Sequence, residues 1–274
     1  MLKNRIKLVC SDIDGTLIKS DKTIGELTYK AIHELVKRGI HFALVTGRFK
    51  TGVLPVMETL SLTDKEISGV YDNGAYVEVL GQPTSSYGVP IPLMLEVSRF
   101  ASSYNARSVL FSGEEWVVEE KDKWWARING FYEGRGVCES FEETVRKSRM
   151  RNDSEPIKLV LRLDDDVKMA ALKKELNILY PSLSFFLSHP DILEVSLKEV
   201  NKASGVSAIA DKLGITKDQI MSFGDFDNDV PMLKEAGFGV AMRNGTQCAL
   251  DASDYIAPSN EEDGVGKTLF SLLL

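Results

Sequence analysis

The chain has 274 residues, of which 43% are hydrophobic and 27% are charged, and its formal net charge is −7 at pH 7. This balance is typical of a folded globular protein and excludes a disordered chain. The acidic charge argues against a general binder of nucleic acid or of membrane surfaces, since both usually carry an excess of Lys and Arg.

The cysteines and the N-terminus indicate the compartment. Cys10, Cys138 and Cys248 lie far apart and include no CxxC pair, which offers neither a disulfide framework nor a zinc site and suits a reducing compartment. The apolar run before Asp12 is too short for the core of a signal peptide, and no stretch is long enough to span a bilayer. We therefore expect a cytoplasmic protein with no nucleic-acid partner and no membrane partner.

The first part of the chain predicts alternating strands and helices. Residues 6–10 form a short apolar strand that ends before Asp12, and a helical pattern follows over residues 24–36. A second strand over residues 40–45 ends before Thr46, with another helical stretch beyond. This order predicts a parallel sheet covered by helices on both faces, in which ligands bind beyond the carboxyl ends of the strands.

The pattern changes after about residue 80. Residues 82–92 are rich in Pro, Ser and Gly and predict a linker. The next hundred or so residues predict an α+β insert with a sheet of its own. Its predicted helices cover residues 93–104, 124–131, 141–150 and 166–179, and its predicted strands cover 107–112, 115–120, 136–139, 157–163, 183–188 and 191–197.

The α/β pattern resumes at about Asn201, with a helix to residue 213, strands over residues 219–223 and 239–242, and a C-terminal helix. We therefore predict an α/β fold with a Rossmann-like parallel-sheet core. The core is expected to comprise residues 1–82 and 190–274, and the inserted domain residues 83–189.

Two acidic clusters follow predicted strands. The first reads Asp12-Ile13-Asp14-Gly15-Thr16, and the second reads Gly224-Asp225-Phe226-Asp227-Asn228-Asp229. Turn formation is the ordinary explanation for the first cluster, and helix capping is the ordinary explanation for the second. Capping accounts for only one or two of the acidic residues in the second loop.

If the two loops meet, several like charges crowd into a small space. Two carboxylates ~4 Å apart repel by roughly 4 kcal/mol at an effective dielectric constant of about 20, so a cation must offset them. All the candidate ligands are hard oxygens, and no His or Cys is nearby in sequence. The pattern therefore predicts Mg²⁺ and disfavours zinc.

Two further residues suit phosphate chemistry. Thr46 offers a hydroxyl and neighbouring backbone N–H groups at a strand end, although a Thr that simply closes a strand is the more common case. Lys202 begins a predicted helix, where its charge opposes the helix dipole. A bound phosphate would explain that position, although a solvated Lys is the usual case.

Taken in order, these segments resemble the four motifs of the haloacid dehalogenase superfamily of phosphohydrolases, and more narrowly its Cof-type branch with a large α/β cap. The segments Tyr71-Asp72-Asn73-Gly74-Ala75 and Ser259-Asn260-Glu261-Glu262-Asp263-Gly264-Val265 are also similar to that branch. The resemblance covers the core on both sides of the insert. Two segments depart from the pattern, Met242-Arg243-Asn244-Gly245 and Asn201-Lys202-Ala203, and the bulky Arg243 puts the contact of its loop with the site in question.

The resemblance implies a role for each matching residue. Asp12 would be the nucleophile and a metal ligand, and Asp14 would be the general acid and base, with its backbone carbonyl on the metal. Thr46 would hold the phosphoryl oxygens, and Lys202 would steady the nucleophile and the transferred group. The other metal residues would be Asp225, Asn228 and Asp229, and the other substrate-binding residues would be Gly47, Arg48, Asn73 and Gly74.

These roles predict a Mg²⁺-dependent phosphatase of a small phosphorylated metabolite, acting through an aspartyl-phosphate on Asp12. Asp14 would need a raised pKa, from nearby carboxylates and burial, to donate a proton. The insert would select the substrate, a sugar phosphate or a similar metabolite. Its candidate contacts are Lys123, Trp124, Trp125, Arg127 and Arg135, although adjacent tryptophans more often anchor a small core.

Two other functions fit the same motifs. A phosphomutase would return the phosphoryl group to the sugar, and the motifs do not separate it from a phosphatase. A non-enzymatic sensor of a phosphorylated ligand predicts the loss of a catalytic group, yet every group is present. We expect a monomer or a weak homodimer.

Overall fold

The computed structural model describes residues 2–112, 115–126, 136–151 and 157–274. The chain divides into two compact units, one comprising Met1–Ser85 and Val200–Leu274 and the other comprising Ser86–Glu199. The second boundary therefore falls after Glu199 and not after residue 189 as predicted. The reason is that the strand Ile192–Leu197 pairs with two strands of the insert.

The helices and strands are numbered here in chain order. The strands are β1 Leu8–Ser11, β2 His41–Val45, β3 Ser68–Tyr71, β4 Tyr76–Val79, β5 Gln82–Ser86, β6 Arg107–Ser112, β7 Glu115–Val118, β8 Gly136–Cys138, β9 Ile157–Arg162, β10 Leu183–His189, β11 Ile192–Leu197, β12 Ile220–Gly224, β13 Phe238–Met242 and β14 Tyr255–Ala257. The α-helices are α1 Glu26–Lys37, α2 Leu54–Leu60, α3 Ile91–Ser102, α4 Phe141–Arg151, α5 Asp166–Leu179, α6 Lys202–Leu213, α7 Val230–Glu235, α8 Gln247–Asp251 and α9 Gly264–Leu272. Residues 123–126 are also helical, and the rest of the helix predicted there lies outside the described residues.

The first unit contains an eight-stranded sheet in the order β14-β13-β12-β1-β2-β3-β4-β5. The strands from β14 to β3 are parallel, and β4 runs antiparallel to β3. The predicted parallel-sheet core is therefore confirmed. Because β1 and β12 are parallel neighbours, the loops that follow them leave the sheet at the same side, beyond the carboxyl ends of the strands.

Both faces of this sheet are apolar because both are covered by helices. On one face, Val9 and Phe42 pack in a cluster that includes Ile32 of α1. On the other face, Leu8 packs in a cluster that includes Val206 of α6. The strands therefore have continuous apolar runs instead of the alternating pattern of a sheet with one solvated face.

The linker predicted over residues 82–92 is partly wrong, because residues 82–86 form β5. This strand lies at the edge of the sheet, where Pro83 is tolerated because an edge strand leaves some backbone N–H groups unpaired. Strands β3, β4 and β14 were also not predicted. They are short, with four, four and three residues, and their apolar pattern is too brief to identify.

The second unit contains a six-stranded sheet in the order β10-β11-β9-β6-β7-β8. Its strand pairs are antiparallel except for the parallel pair β7 and β8. Leu159, Leu161 and Leu193 are fully buried in a cluster with Val97 of α3 and Leu172 of α5. Among the described residues, no helix of either unit combines the length and the apolar character needed to cross a membrane.

The N-terminus of α1 is capped by a residue distant in sequence. Its own N-cap residue is Gly25, which has no side chain to offer, and a Cβ there would lie 2.2 Å from the Asp263 carboxylate. Asp263 accepts hydrogen bonds from the backbone N–H groups of Leu27 at 2.8 Å and Thr28 at 3.0 Å. It therefore satisfies two of the donors that a helix start leaves unpaired.

We predict that Asp263→Ala lowers the free energy of unfolding by about 1–2 kcal/mol, because a lost helix cap typically costs that much. The measurement is urea unfolding followed by far-ultraviolet circular dichroism. Tryptophan fluorescence would report the wrong unit, since all three tryptophans lie in the second unit. The control is Asp251→Ala, which removes an exposed carboxylate bonded only to the Gln247 side chain among the described residues. An equal loss in both variants would contradict the capping role.

Candidate active site

The two acidic loops converge at the carboxyl ends of the parallel strands. Asp12 directly follows β1, and its backbone N–H donates to the Phe223 carbonyl of β12 at 3.0 Å. Asp225 directly follows β12. Asp12, Asp225 and Asp229 each offer a carboxylate oxygen, and these three oxygens lie within 4.8 Å of one another. The three side chains form what we call the carboxylate cluster.

Lys202 is the cation of this cluster. Its Nζ lies 2.6 Å from Asp12 Oδ1 and 2.5 Å from Asp229 Oδ1, and the residue is only 2% exposed. The usual solvated position of a Lys therefore does not apply. Burial disfavours the charged form, but the two carboxylates outweigh it and raise the pKa of Lys202 above its ordinary value.

The position of Lys202 is set by the start of α6. Asn201 is the N-cap residue, and its Oδ1 accepts from the backbone N–H groups of Ala203 at 2.9 Å and Ser204 at 3.1 Å. Gly74 packs against this cap, where an added Cβ would lie 2.2 Å from the Asn201 carbonyl oxygen. The cap satisfies the helix start, so the first residue of the helix is free to point its ammonium group into the cluster.

The cluster has an excess of negative charge. Burial raises the pKa of Asp12 well above its ordinary value, and the charges of Asp229 and Asp225 add to this effect against the lowering effect of Lys202. Burial and the Asp229 charge raise the pKa of Asp225 to about 6. Three carboxylates against one ammonium leave two negative charges, and all the ligand atoms are hard oxygens. The donor set therefore fits a divalent cation such as Mg²⁺.

The second loop is shaped to present its carboxylates. Asp229 Oδ2 accepts from the backbone N–H groups of Asp225 and Phe226, both at 2.9 Å. Thr16 donates its hydroxyl to Asp225 Oδ1 at 2.7 Å. Gly15, with φ +82°, approaches the same carboxylate so closely that an added Cβ would lie 2.3 Å from Asp225 Oδ2. The two loops thus interlock around Asp225.

Asp14 is not part of the carboxylate cluster. Arg48 binds its carboxylate with two bonds, Nε to Oδ2 at 2.6 Å and Nη2 to Oδ1 at 2.5 Å, and Lys22 Nζ lies 3.2 Å from Oδ1. Burial raises the pKa of Asp14, but Arg48 and Lys22 together outweigh burial and lower it. The expectation of a raised pKa is therefore wrong for this arrangement, because sequence reasoning considered the neighbouring carboxylates and not these two cations.

Thr46 and Gly47 lie in the loop after β2. Thr46 is buried, its backbone N–H donates to the Val70 carbonyl at 2.9 Å, and its Oγ1 accepts from the Arg48 N–H at 3.1 Å. Gly47 faces Asn73, so that an added Cβ would lie 3.0 Å from Asn73 Nδ2. Any side chain at residue 47 would therefore press on Asn73.

Asn73 and Asn228 meet each other outside the carboxylate cluster. Asn73 lies in the turn between β3 and β4 with φ +54°, and its Oδ1 accepts from Asn228 Nδ2 at 3.0 Å. Asn228 thus links this turn to the loop after β12. Its predicted part in the metal site stays a prediction.

The loop after β13 contacts the site in spite of Arg243, which is exposed and lies 3.3 Å from Glu262. Asn244 Nδ2 donates to the Gly15 carbonyl at 2.8 Å, and the Thr246 N–H donates to the Asp225 carbonyl at 2.8 Å. Asn244, Thr16 and Lys22 had no predicted role. Thr16 stands inside the first acidic motif and Asn244 stands in the segment Met242–Gly245 that was compared with the family pattern, but nothing in the local pattern marks Lys22.

The contacts predicted for the insert are only partly described, since Arg127 and Arg135 lie outside the described residues. Trp124 lies under the Arg162 guanidinium, 3.9 Å from ring centroid to Cζ, and Trp125 lies 4.8 Å from Trp116 between ring centroids. Lys123 forms an ion pair with Asp164. The two tryptophans thus have partners within the insert, as the small-core interpretation expects.

The chain is similar to known proteins over most of its length. The model of the haloacid dehalogenase-like hydrolase family matches residues 9–269. A 5-amino-6-(5-phospho-D-ribitylamino)uracil phosphatase of Bacillus subtilis is 28% identical over 264 residues, which cover 96% of this chain and 94% of that protein. An HMP-PP phosphatase of Yersinia pseudotuberculosis is 26% identical over 243 residues, which cover 87% of this chain and 84% of that protein. The crystal structure of a haloacid dehalogenase-like hydrolase from Bacteroides thetaiotaomicron superposes with a TM-score of 0.81 at 25% identity, covering 98% of this chain and 100% of that one.

We predict that Gly15→Ala destabilises the protein by about 1–3 kcal/mol more than Gly39→Ala, because overpacking costs that much. Both glycines have a left-handed backbone, with φ +82° and φ +73°, so both variants pay the same conformational cost. Only at Gly15 does the new Cβ meet the Asp225 carboxylate, since nothing lies within 4 Å of a Cβ at Gly39. Urea unfolding of the two variants side by side measures the difference, and equal losses would count against the interlocked loops.

Proposed function

This chain belongs to the haloacid dehalogenase-like hydrolase family and is a phosphatase of small phosphorylated molecules; we propose that it depends on Mg²⁺ and forms an aspartyl-phosphate on Asp12. We propose further that the substrate is a sugar phosphate or a similar metabolite. Three predictions from the sequence stay predictions. The enzyme is expected to be cytoplasmic, to have no nucleic-acid or membrane partner, and to be a monomer or a weak homodimer.

One observation carries this proposal. The buried Asp12 carboxylate is held at Oδ1 by Lys202 at 2.6 Å, beside two more buried carboxylates. A structural ion pair would need one carboxylate for one ammonium group, whereas this ammonium group contacts two carboxylates and a third lies beside them. The excess charge supports a site that binds a divalent cation and a phosphoryl group next to a nucleophile.

Asp12, Asp225 and Asp229 would hold the metal, together with the backbone carbonyl of Asp14 as the family resemblance implies. A bound Mg²⁺ would neutralise charge that develops on the transferred phosphoryl oxygens. Asn228 donates to Asn73, so we expect it to support the metal residues only through its loop.

The reaction we propose has two steps. A carboxylate oxygen of Asp12 attacks phosphorus, the bond to the substrate oxygen breaks, and Asp14 donates a proton to the leaving alkoxide. Asp14 then takes a proton from water, which attacks the aspartyl-phosphate and releases inorganic phosphate and the free Asp12 carboxylate. Lys202 and Thr46 would hold the phosphoryl oxygens through both steps, and such charge stabilisation provides most of the catalysis of phosphoryl transfer.

Arg48 has a second role in this scheme. It now engages the Asp14 carboxylate with two bonds, and a guanidinium group binds phosphate with the same fork geometry. The substrate phosphoryl group would therefore compete with Asp14 for Arg48. Asp14 released from Arg48 would be free to turn toward the leaving group.

The insert would select the substrate, with Lys123, Trp124 and Trp125 as its candidate contacts among the described residues. Trp124 presents an aromatic ring beside the Arg162 guanidinium, and these groups suit a polar, hydroxyl-rich leaving group.

We expect a screen of sugar phosphates, nucleotides, phosphoglycolate and pyridoxal phosphate to find a substrate from which wild-type protein releases phosphate. Chelation should abolish release and added Mg²⁺ should restore it, because the excess charge of the cluster would otherwise repel the phosphoryl group. Asp12→Asn should be inactive, while Asp251→Asn, at an exposed position, serves as the matched control. Turnover that survives chelation would contradict the metal, and a rearranged phosphosugar with little free phosphate would indicate a mutase.

We predict that Asp14→Asn lowers kcat on an alkyl phosphate by about 100-fold or more, since general acid and base catalysis contributes at least that much. An amide has nearly the same shape but can neither protonate the alkoxide nor accept a proton from water. The measurement is steady-state phosphate release at saturating substrate and Mg²⁺. Release at the wild-type rate would remove Asp14 from the mechanism.

A further inference from the structure

The loop that carries Asp14 has little regular structure of its own. Residues 12–25 connect β1 to α1, and their only β-bridges among the described residues are two isolated ones, from Asp14 to Ile18 and from Ile18 to Ile24. A catalytic side chain on such a loop needs support from elsewhere, because misplacement by about 1 Å can cost about 100-fold in rate.

That support comes from the C-terminal segment Ser259–Asp263, to which the mechanism assigns no role. Asn260 Nδ2 donates to the Ile18 carbonyl at 2.9 Å. Glu261 Oε1 accepts from both the backbone N–H and the hydroxyl of Ser20, at 2.7 Å and 2.6 Å. The segment therefore holds the Asp14 loop at Ile18 and at Ser20, which both follow Asp14 in the chain.

A second connection reaches the loop at Gly15, directly beside Asp14. The backbone N–H of Asn260 donates to Asn244 Oδ1 at 3.1 Å, which orients the Asn244 amide so that its Nδ2 donates to the Gly15 carbonyl at 2.8 Å. Gly15 is the residue after Asp14. Asn260 thus holds the loop at two places, directly at Ile18 and through Asn244 at Gly15.

The Lys22 side chain, from the part of the loop after Ser20, also reaches Asp14. Lys22 has a left-handed backbone with φ +69°, its N–H donates to the Lys19 carbonyl at 2.9 Å, and its ammonium group lies 3.2 Å from Asp14 Oδ1. Because Glu261 holds Ser20, it also fixes the turn from which Lys22 extends. Asp14 is therefore oriented from its backbone through Gly15 and from its carboxylate through Lys22.

We propose that Asn260 and Glu261 are positioning residues for Asp14, so that the segment Ser259–Asp263 controls general acid catalysis without touching the substrate. This inference rests on the proposed function, in which Asp14 protonates the leaving group. It concerns the orientation of Asp14, whereas the Asp12 carboxylate is held by Lys202 and lies beside Asp225 and Asp229.

Leaving-group chemistry separates this role from a merely structural one. The parameter kcat/KM covers steps only up to the departure of the leaving group. A hexose phosphate releases a strongly basic alkoxide that needs a proton, whereas p-nitrophenyl phosphate releases a stable anion that needs none. A misplaced acid therefore lowers kcat/KM for the hexose phosphate and leaves kcat/KM for p-nitrophenyl phosphate unchanged.

The experiment compares Asn260→Ala and Glu261→Ala with the wild type on both substrates at saturating Mg²⁺. We expect kcat/KM for the hexose phosphate to fall by about 10-fold or more, and kcat/KM for p-nitrophenyl phosphate to stay within about 2-fold. Glu261→Gln keeps an oxygen acceptor for Ser20 and should restore the wild-type ratio. The matched control is Asn177→Ala, which also removes an amide donor to a backbone carbonyl, that of Lys173 in α5.

Glu261 is exposed, so its removal does not threaten the fold, and circular dichroism verifies that each variant is folded. An equal fall for both substrates, or no fall for either in a wild type that is active, would overturn the inference and leave the proposed function standing. A wild-type protein that releases phosphate from neither substrate would overturn the proposed function, and the inference with it.

Discussion

The Lys202 ammonium group between Asp12 and Asp229 is the contact on which the active-site geometry depends. It joins the loop after β1, the loop after β12 and the start of α6 at distances of 2.6 Å and 2.5 Å. A buried charge of this kind is costly unless its partners are close and hydrogen-bonded, and removing one partner leaves the other uncompensated. The three elements are therefore held in one arrangement.

The same contact explains why the site fits a metal ion. One ammonium group offsets only one of the three buried carboxylates, and backbone N–H groups and a Thr hydroxyl satisfy much of the remaining hydrogen-bonding capacity of Asp225 and Asp229. Hydrogen bonds reduce the cost of burying charge but do not cancel the repulsion between like charges. The three carboxylates therefore fit a further cation, as the proposed metal dependence requires.

A second layer of contacts surrounds this centre and comes from the end of the chain. Asp263 caps α1, while Asn260 and Glu261 hold the loop between β1 and α1. Asp14 lies in this loop, outside the carboxylate cluster, and its nearest charged partners are Arg48 and Lys22. The proposed nucleophile, Asp12, and the proposed acid, Asp14, therefore have different charged side-chain partners, which allows one to be perturbed without the other.

The amino-acid sequence was enough to predict the parallel-sheet core, because strands buried on both faces are continuously apolar and the intervening helices have a regular period. It also identified both acidic loops, since carboxylates after a buried strand stand out locally. It did not predict β3, β4, β5 or β14, whose runs are short or contain Pro, and it did not place the boundary at Glu199. The partners of Lys202, the pairing of Asp14 with Arg48 and Lys22, and the contacts of Asn244 and Asn260 became known only from the folded structure. Most of these contacts join residues far apart in the chain, and all of them depend on the direction of each side chain, which local patterns do not encode.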